Sequence, residues 1–317
     1  MKYLVFDISN LLYRTFYANK SDDDITLAGL AQHAALTTLN KYFKEHRPDK
    51  VVMTFDRPNW RKEYTKTDKC LSKRPYKGNR RQKMTPAEKA KYKVFCDHLT
   101  EFEEMMRVHT SVVCLAAPLL EADDLMAGFV QVYTVIDEDA EFIVVTADGD
   151  MIQLLEFDNV RLINPANGKD QNLDDYENDV KLFMFEKCIR GDGGDNVMSA
   201  YPRVRRTRIL KAYHDDYEKN QLLNETWNHP ITEEHPKTEE KPTGTIFKVK
   251  DVFNENKLLM DLNSQPDDIR KLIVKTIMRE MEDPGRYSHF HFLAFLGKYK
   301  MERVARQLEV FLPLLSR

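Results

Sequence analysis

The sequence predicts an α/β fold, a mostly parallel central sheet flanked by helices, and three observations carry that prediction. Five short runs, YLVF (3–6), VVMTF (51–55), SVVCL (111–115), FIVVT (142–146) and VRLI (160–163), are apolar, rich in β-branched residues and bounded by polar turns. That is the pattern of strands buried on both faces. Helical patterns lie between them, which orders the chain as repeated βαβ units. Beyond Asn196 the strand signal fades and the pattern becomes mainly helical. At 317 residues the chain can bury one large core or two smaller ones. Two unequal parts are expected: an α/β core over residues 1–200, including a basic segment at about 57–93, and a smaller, mainly helical region over 201–317.

Among the helices, the one after the basic segment is well marked. Thr85 reads as an N-cap, Pro86 as the first helical residue, and Glu88 completes a Thr-x-x-Glu capping box. Tyr92, Phe95, Leu99, Phe102 and Met106 then form an apolar stripe at helical spacing, so a helix is expected from 86 to about 107. The stretch NHPITEEHPKTEEKPTG at 228–244 is rich in Pro, Glu, Lys and Thr. It offers too little apolar surface to order itself and reads as a flexible loop. The terminal RQLEVFLPLLSR reads as an apolar helix packing on its own core, with a docking tail for a sliding clamp as the alternative. No internal repeat is visible.

The formal net charge of −3 conceals segregation. Residues 57–93 hold fourteen Lys or Arg against three acids, a local excess of +11 that leaves −14 on the remainder. A second cluster, RVRRTRILK at 203–211, has five basic residues and no acid. Such runs are either solvated faces or nucleic-acid contacts, and the tyrosines and tryptophan interleaved with the first favour the latter. The four cysteines, Cys70, Cys96, Cys114 and Cys188, show neither zinc spacing nor a disulfide framework. No apolar run approaches the roughly 18 residues of a membrane span, and MKYLVFDISN enters a strand pattern directly. A soluble, unexported cytoplasmic protein is expected.

The chemistry-bearing feature is a set of acids. In an open α/β sheet, ligands bind beyond the carboxyl ends of the strands. Asp7 follows YLVF, Asp56 follows VVMTF, and Asp148 and Asp150 lie in the ADGD that follows FIVVT. EADDLMAG adds Glu121, Asp123 and Asp124, and IRGDGGDNV adds Asp192 and Asp195. Each acid alone reads more readily as a turn former or helix cap than as a ligand. Convergence is harder to explain that way, since unit charges about 4 Å apart repel by roughly 4 kcal/mol at an effective dielectric of 20. Nine clustered carboxylates call for cations. All-oxygen ligands favour Mg²⁺, with Mn²⁺ able to substitute, and two such ions suit phosphodiester hydrolysis. DGDMIQLLEFDN lacks the ligand spacing and central glycine of a calcium loop. The glycines of IRGDGGDNV suggest a phosphate cradle, but its two aspartates would repel an anion; Gly193 and Gly194 are read as a tight turn that turns both carboxylates toward an ion.

Six motifs, VFDISNLLYRTFYA, TFDRPNW, RPYKGNRR, EADDLMAG, VTADGDMIQLL and GDGGDN, stand in an order and spacing that resembles the flap endonuclease and 5′-to-3′ exonuclease family. With NENKLLMDLNSQPDDIRK at 254–271, the chain looks most like its T-even-type bacteriophage ribonuclease H branch. The likeness is strong over residues 1–200 and weak beyond. It implies a PIN-like nuclease core and a basic helical arch at 57–93, expected to be disordered until phosphates neutralise it. It makes Asp7, Asp56, Glu121, Asp123, Asp124, Asp148, Asp150, Asp192 and Asp195 the metal-site set, the last four serving a second ion partly through water. Lys77 and Arg80 match the basic pair directed at the scissile phosphate, and Tyr76 an aromatic position where a displaced base could stack. Arg81 and Lys83 extend that segment, and Arg14 matches a contact to the 5′ region.

The implied reaction is two-Mg²⁺ hydrolysis from a 5′ end, leaving a 5′-phosphate and removing RNA primers or 5′ flaps during replication. The implied partners are DNA and RNA–DNA hybrids, with a sliding clamp and a single-stranded-DNA-binding protein beside them, engaged by a monomer in a host-cell cytoplasm. Two departures from the family stand out. Ile8 occupies a position where many relatives have glycine. No glycine lies between Gly194 and Gly244, which puts the family's glycine turn and its K⁺-type site in doubt. Arg203, Arg205, Arg206, Arg208 and Lys211 stand there instead and could grip duplex phosphates electrostatically. A PIN-like ribonuclease and a non-catalytic branched-DNA-binding factor are the alternatives.

Overall fold

The computed structural model describes residues 1–21, 23–82, 84–228 and 246–316, with the backbone alone for residues 81, 82 and 228. The chain opens with β1 (Lys2–Asp7), α1 (Ile8–Ala18), α2 (Asp24–His46) and β2 (Lys50–Thr54). Two short helices follow, α3 (Trp60–Tyr64) and α4 (Gly78–Gln82), then the long α5 (Pro86–His109). Next come β3 (Val113–Leu115), α6 (Ala122–Ile136), β4 (Glu141–Val145), β5 (Val160–Asn164), β6 (Lys169–Asp170) and α7 (Val180–Arg190). The remainder holds α8 (Arg206–His214), α9 (Asp216–Asn224), β7 (Thr226–Asn228), β8 (Ile246–Lys248), α10 (Val249–Met260), α11 (Asp267–Glu282) and α12 (His289–Lys298). All five expected strands form, and α5 begins with the expected Thr85–Glu88 capping box. The loop expected at 228–244 lies, past Asn228, outside the described residues.

Six strands make one sheet in the order β3-β2-β1-β4-β5-β6, parallel except for the two-residue β6. Sequential strands fall on both sides of β1, so the order reverses between β1 and β4. That switch point opens a crevice at the strands' carboxyl ends. The register brings those ends level: Asp7 pairs with Thr54, Thr54 with Leu115, and Phe6 with Val145. Acids placed just after β1, β2 and β4 are therefore delivered to one edge.

The chain divides into two compact units interleaved in sequence. Met1–Trp60, Met84–Asn172 and Asp267–Arg317 form the first, Arg61–Lys83 and Leu173–Pro266 the second. This differs from the boundary expected at residue 200, because the last helices return to the sheet-bearing unit. Phe292, Leu296, Phe311 and Leu315 lie in one core with Phe6, Leu36 and Phe102. The terminal segment thus packs on its own core, as its apolar pattern anticipates. Gly128, the last residue of EADDLMAG, makes a close approach possible: a Cβ there would sit 2.2 Å from Cγ2 of Ile273 on α11.

In the second unit, Phe185, Ile189, Ile209, Leu222 and Val252 form one core, and Tyr76, Cys188, Val197, Leu259 and Met260 another. The basic segment was expected to lack order on its own, yet its described residues carry α3, α4 and the start of α5. Two of its exposed cations pair locally, Lys66 with Glu63 at 2.8 Å and Lys73 with Asp68 at 3.1 Å.

Candidate active site

The first unit gathers its acids at the carboxyl edge of the sheet. Asp7 ends β1 and caps α1, accepting the Asn10 N–H at 3.0 Å. Asp56 lies two residues past β2; its carboxylate accepts the Ala122 N–H at 2.9 Å at the start of α6, and its own N–H donates to Ser9 Oγ at 2.9 Å. Glu121 is the N-cap of α6, and Asp124, with no exposed surface, accepts the Glu121 N–H at 3.1 Å. Asp123 sits beside them in the first turn. Asp148 caps the short 3₁₀ turn after β4 and accepts the Asp150 N–H at 2.9 Å. Capping and clustering therefore coexist, since acids that anchor helix starts at one sheet edge are brought together by doing so.

Two hydroxyl residues bind this set and escaped the sequence reading. Thr146 Oγ1 accepts the Asp148 N–H at 3.1 Å and donates to Asp7 at 3.4 Å, linking β1 to β4 across the switch point. Ser9 does the equivalent for Asp56. Their signal was spacing: each hydroxyl stands two residues from an acid, in Asp7-x-Ser9 and Thr146-x-Asp148.

Asp7 shows the electrostatic result. It is 5 % exposed, and burial, followed by the charge of Asp56 and then that of Asp148, pushes its pKa up to about 8. A cation at this edge would offset those effects, and oxygen ligands suit Mg²⁺ or Mn²⁺. Among the described residues no three acidic, His or Cys side chains are already drawn in as a closed metal cage. Arg14 is exposed and lines a crevice with Asp7, Asn10, Thr146 and Pro165.

The second unit holds a separate cluster. Asp195 Oδ1 accepts from Arg80 at 2.5 Å, while its Oδ2 accepts the Tyr76 hydroxyl at 2.6 Å and lies 3.5 Å from Lys77 Nζ. Tyr76 is 6 % exposed, with Lys77 Nζ 5.1 Å and the Arg61 guanidinium 5.9 Å from its ring centre. Base stacking on Tyr76 is therefore corrected: the ring belongs to the core and its hydroxyl serves Asp195. Asp192 accepts the N–H groups of Gly194 and Asp195 and pairs with Lys187 at 3.3 Å. Burial raises the Asp192 pKa, but the Lys187 charge and those N–H bonds outweigh it and leave the group below its usual range.

The glycine reading of this turn also changes. Neither Gly193 nor Gly194 has positive φ, whereas Gly191 has φ +68° and a Cβ there would meet the Val197 and Met198 carbonyl oxygens at 2.6 Å. Asn196, at φ 61°, is the other left-handed position. The two carboxylates do not share one partner: Asp192 faces the turn and Lys187, and Asp195 faces the basic segment.

Of the remaining basic candidates, Arg206 pairs with Glu186 at 3.0 Å, Lys211 with Glu218 at 2.6 Å, and Arg208 with Glu225. Arg203 and Arg205 are exposed, with no ion pair among the described residues, and Arg203 adopts φ 61° without being glycine. The side chain of Arg81 and the whole of Lys83 lie outside the described residues.

The family model for the 5′–3′ exonuclease N-terminal, resolvase-like domain matches residues 2–183, more than half of the chain. The chain belongs to this 5′–3′ exonuclease family. Membership makes it a nuclease, an enzyme class that hydrolyses phosphodiester bonds. Solved structures of similar fold include the bacteriophage T5 D15 protein co-crystallised with metal ions, with 20 % identity and a TM-score of 0.63 over 88 % of this chain and 99 % of that one. A T5 D15 flap endonuclease variant in a pseudo-enzyme–product complex with DNA and metal ions matches with 19 % identity and a TM-score of 0.62, over 89 % and 100 %. The T5 5′-exonuclease with bound zinc matches with 21 % identity and a TM-score of 0.62, over 88 % and 99 %. At these identities the likeness establishes the fold. A comparison with curated proteins finds no match. Among the described residues no helix of this exonuclease-family chain is long and apolar enough to cross a membrane.

Proposed function

We propose that the chain is a divalent-metal-dependent, structure-specific 5′ nuclease that removes RNA primers and 5′ flaps in DNA replication. The observation that carries this reading is the convergence of Asp56 and Asp148 on the buried Asp7 at the sheet's switch point, in a chain of the exonuclease family. The T5 relatives, described with DNA and with metal ions, support the same substrate and cofactor class.

Asp7, Asp56, Glu121, Asp123, Asp124, Asp148, Asp150, Asp192 and Asp195 are the proposed holders of Mg²⁺, the last four toward a second ion and partly through water. When bound, the ions would polarise the scissile phosphate and the attacking water and stabilise the leaving oxygen. Asp7 must give up its proton for the set to reach full charge. Ser9 and Thr146 hold the backbone at Asp56 and Asp148 in place while it does so, and Thr146 also donates to the Asp7 carboxylate. Lys77 and Arg80 offer positive charge to the non-bridging oxygens as charge builds, Arg80 with a fork suited to two of them. In-line attack of water on phosphorus breaks the P–O3′ bond and leaves a 5′-phosphate. Since Lys77 and Arg80 rest on Asp195, an arriving phosphate has to compete with that carboxylate for them.

A labelled 5′ flap incubated with Mg²⁺, and then with EDTA, tests the reading, and Asp148→Asn sharpens it. Cleavage should require Mg²⁺ and stop with EDTA, and the variant should lose about 10²-fold or more in rate while still binding the flap. Undiminished turnover in Asp148→Asn would sink the metal assignment. Cleavage of RNA alone would favour the PIN-like ribonuclease, and binding without cleavage the branched-DNA-binding factor.

A further inference from the structure

Two neighbouring residues of α10, Glu255 and Asn256, reach two different segments of the second unit. Glu255 is 6 % exposed, and its Oε1 accepts the Leu71 N–H at 2.6 Å and the Tyr64 hydroxyl at 3.3 Å. Its Oε2 accepts the Ser72 N–H at 3.3 Å. One carboxylate thus fixes the chain that runs into Tyr76, Lys77 and Arg80. Asn256 is almost wholly buried, and its Nδ2 donates to the carbonyls of Cys188 and Met198, each at 2.8 Å. Those carbonyls lie on either side of the turn that carries Asp192 and Asp195.

The two segments are also bonded to each other. The Lys77 N–H donates to the Asp195 carbonyl at 2.8 Å, and the Asn196 side chain donates to the Pro75 carbonyl at 2.9 Å. Lys77 holds φ 54°, a left-handed conformation that a non-glycine residue keeps only where its surroundings impose it. Successive residues on a helix point about 100° apart, so one turn of α10 can hold both segments at once. A buried carboxylate and a buried amide are costly unless every bond they make is used, and here each bond goes to one of these two segments.

We propose that Glu255 and Asn256 are positioning residues: Glu255 sets the basic segment that presents Lys77 and Arg80, Asn256 sets the acidic turn, and α10 keeps the two in register. This assigns a role to the NEN stretch of residues 254–256, and it rests on the nuclease reading of the segments being held.

The test uses the full-length protein and the variants Glu255→Gln and Asn256→Asp. Glutamine turns an N–H donor toward the Leu71 or Ser72 N–H, and aspartate places an acceptor against two carbonyls. In Glu255→Gln the single-turnover rate on a 5′ flap should fall about 10–100-fold while the dissociation constant stays within about threefold. The same change made in a Lys77→Ala background should cost almost nothing further, because Glu255 acts through that segment. Asn256→Asp should raise the Mg²⁺ concentration for half-maximal rate, and Glu255→Gln should leave it unchanged.

Hydrogen exchange, measured without substrate, separates this proposal from the nuclease reading. Protection should fall only over residues 64–80 in Glu255→Gln and only over 188–198 in Asn256→Asp. If the wild-type protein cuts no flap while exchange behaves this way, the nuclease reading fails and the positioning holds. Losses that multiply in the double variant, or exchange that rises throughout the second unit, would show two fold-maintaining residues and overturn the proposal.

Discussion

Asp7 is the residue on which the proposed chemistry and the stability of the sheet unit meet. Its pKa is raised to about 8 by burial and then by Asp56, so the native state holds this proton far more tightly than the unfolded chain does. A raised carboxyl contributes stability fully below the ordinary value near 4, and that contribution is lost as pH climbs through 8. Urea denaturation in EDTA should therefore show stability falling between pH 5 and pH 8, by roughly 3–4 kcal/mol at about 1.4 kcal/mol per pH unit. Asp7→Asn should flatten the slope, and a wild-type curve that is already flat would remove Asp7 from this role. Asp7, Asp56 and Asp148 were legible because an acid just past a buried strand can only lie at the sheet's edge. The role of Tyr76 was not, because an aromatic residue among lysines looks the same in sequence whether its ring meets a base or, as here, the core.

At the scale of elements, the strands were readable from β-branched runs and α5 from its capping box, since both signals are local. What sequence left open was which element packs on which. Gly128 illustrates this: EADDLMAG marks a helix start, but only the approach of Ile273 from α11 shows why the motif ends in glycine. Gly128→Ala should destabilise the protein by about 1–3 kcal/mol through overpacking. Gly191→Ala should cost at least as much, because it meets carbonyl oxygens and needs positive φ. Gly193→Ala, with open space around it, should stay within about 0.5 kcal/mol. Chemical denaturation of the three variants checks the order. A costly Gly193→Ala beside a neutral Gly191→Ala would reverse the account of this turn.

Over the whole molecule, the charge segregation visible in sequence proves to be of two kinds. Many basic residues are matched locally, and Arg206, Arg208 and Lys211 each face a glutamate, which a count of lysines and arginines cannot reveal because the partner lies 7 to 20 residues away. Arg203 and Arg205 are different, exposed and without an ion pair among the described residues. If the segment 203–211 grips duplex phosphates, those two should carry the effect. Each phosphate contact contributes about 0.9 to the slope of log affinity against log salt, so Arg203→Ala with Arg205→Ala should lower that slope by about 2 and weaken duplex binding most at low salt. Arg206→Ala should instead leave the slope nearly unchanged and lower stability only slightly, because its guanidinium is already engaged with Glu186 and that acid retains Arg190. Equilibrium binding of a blunt duplex from about 50 to 200 mM salt separates the two cases. Equal slopes for all variants would mean that this cluster is a solvated face, and that the duplex is held elsewhere on the protein.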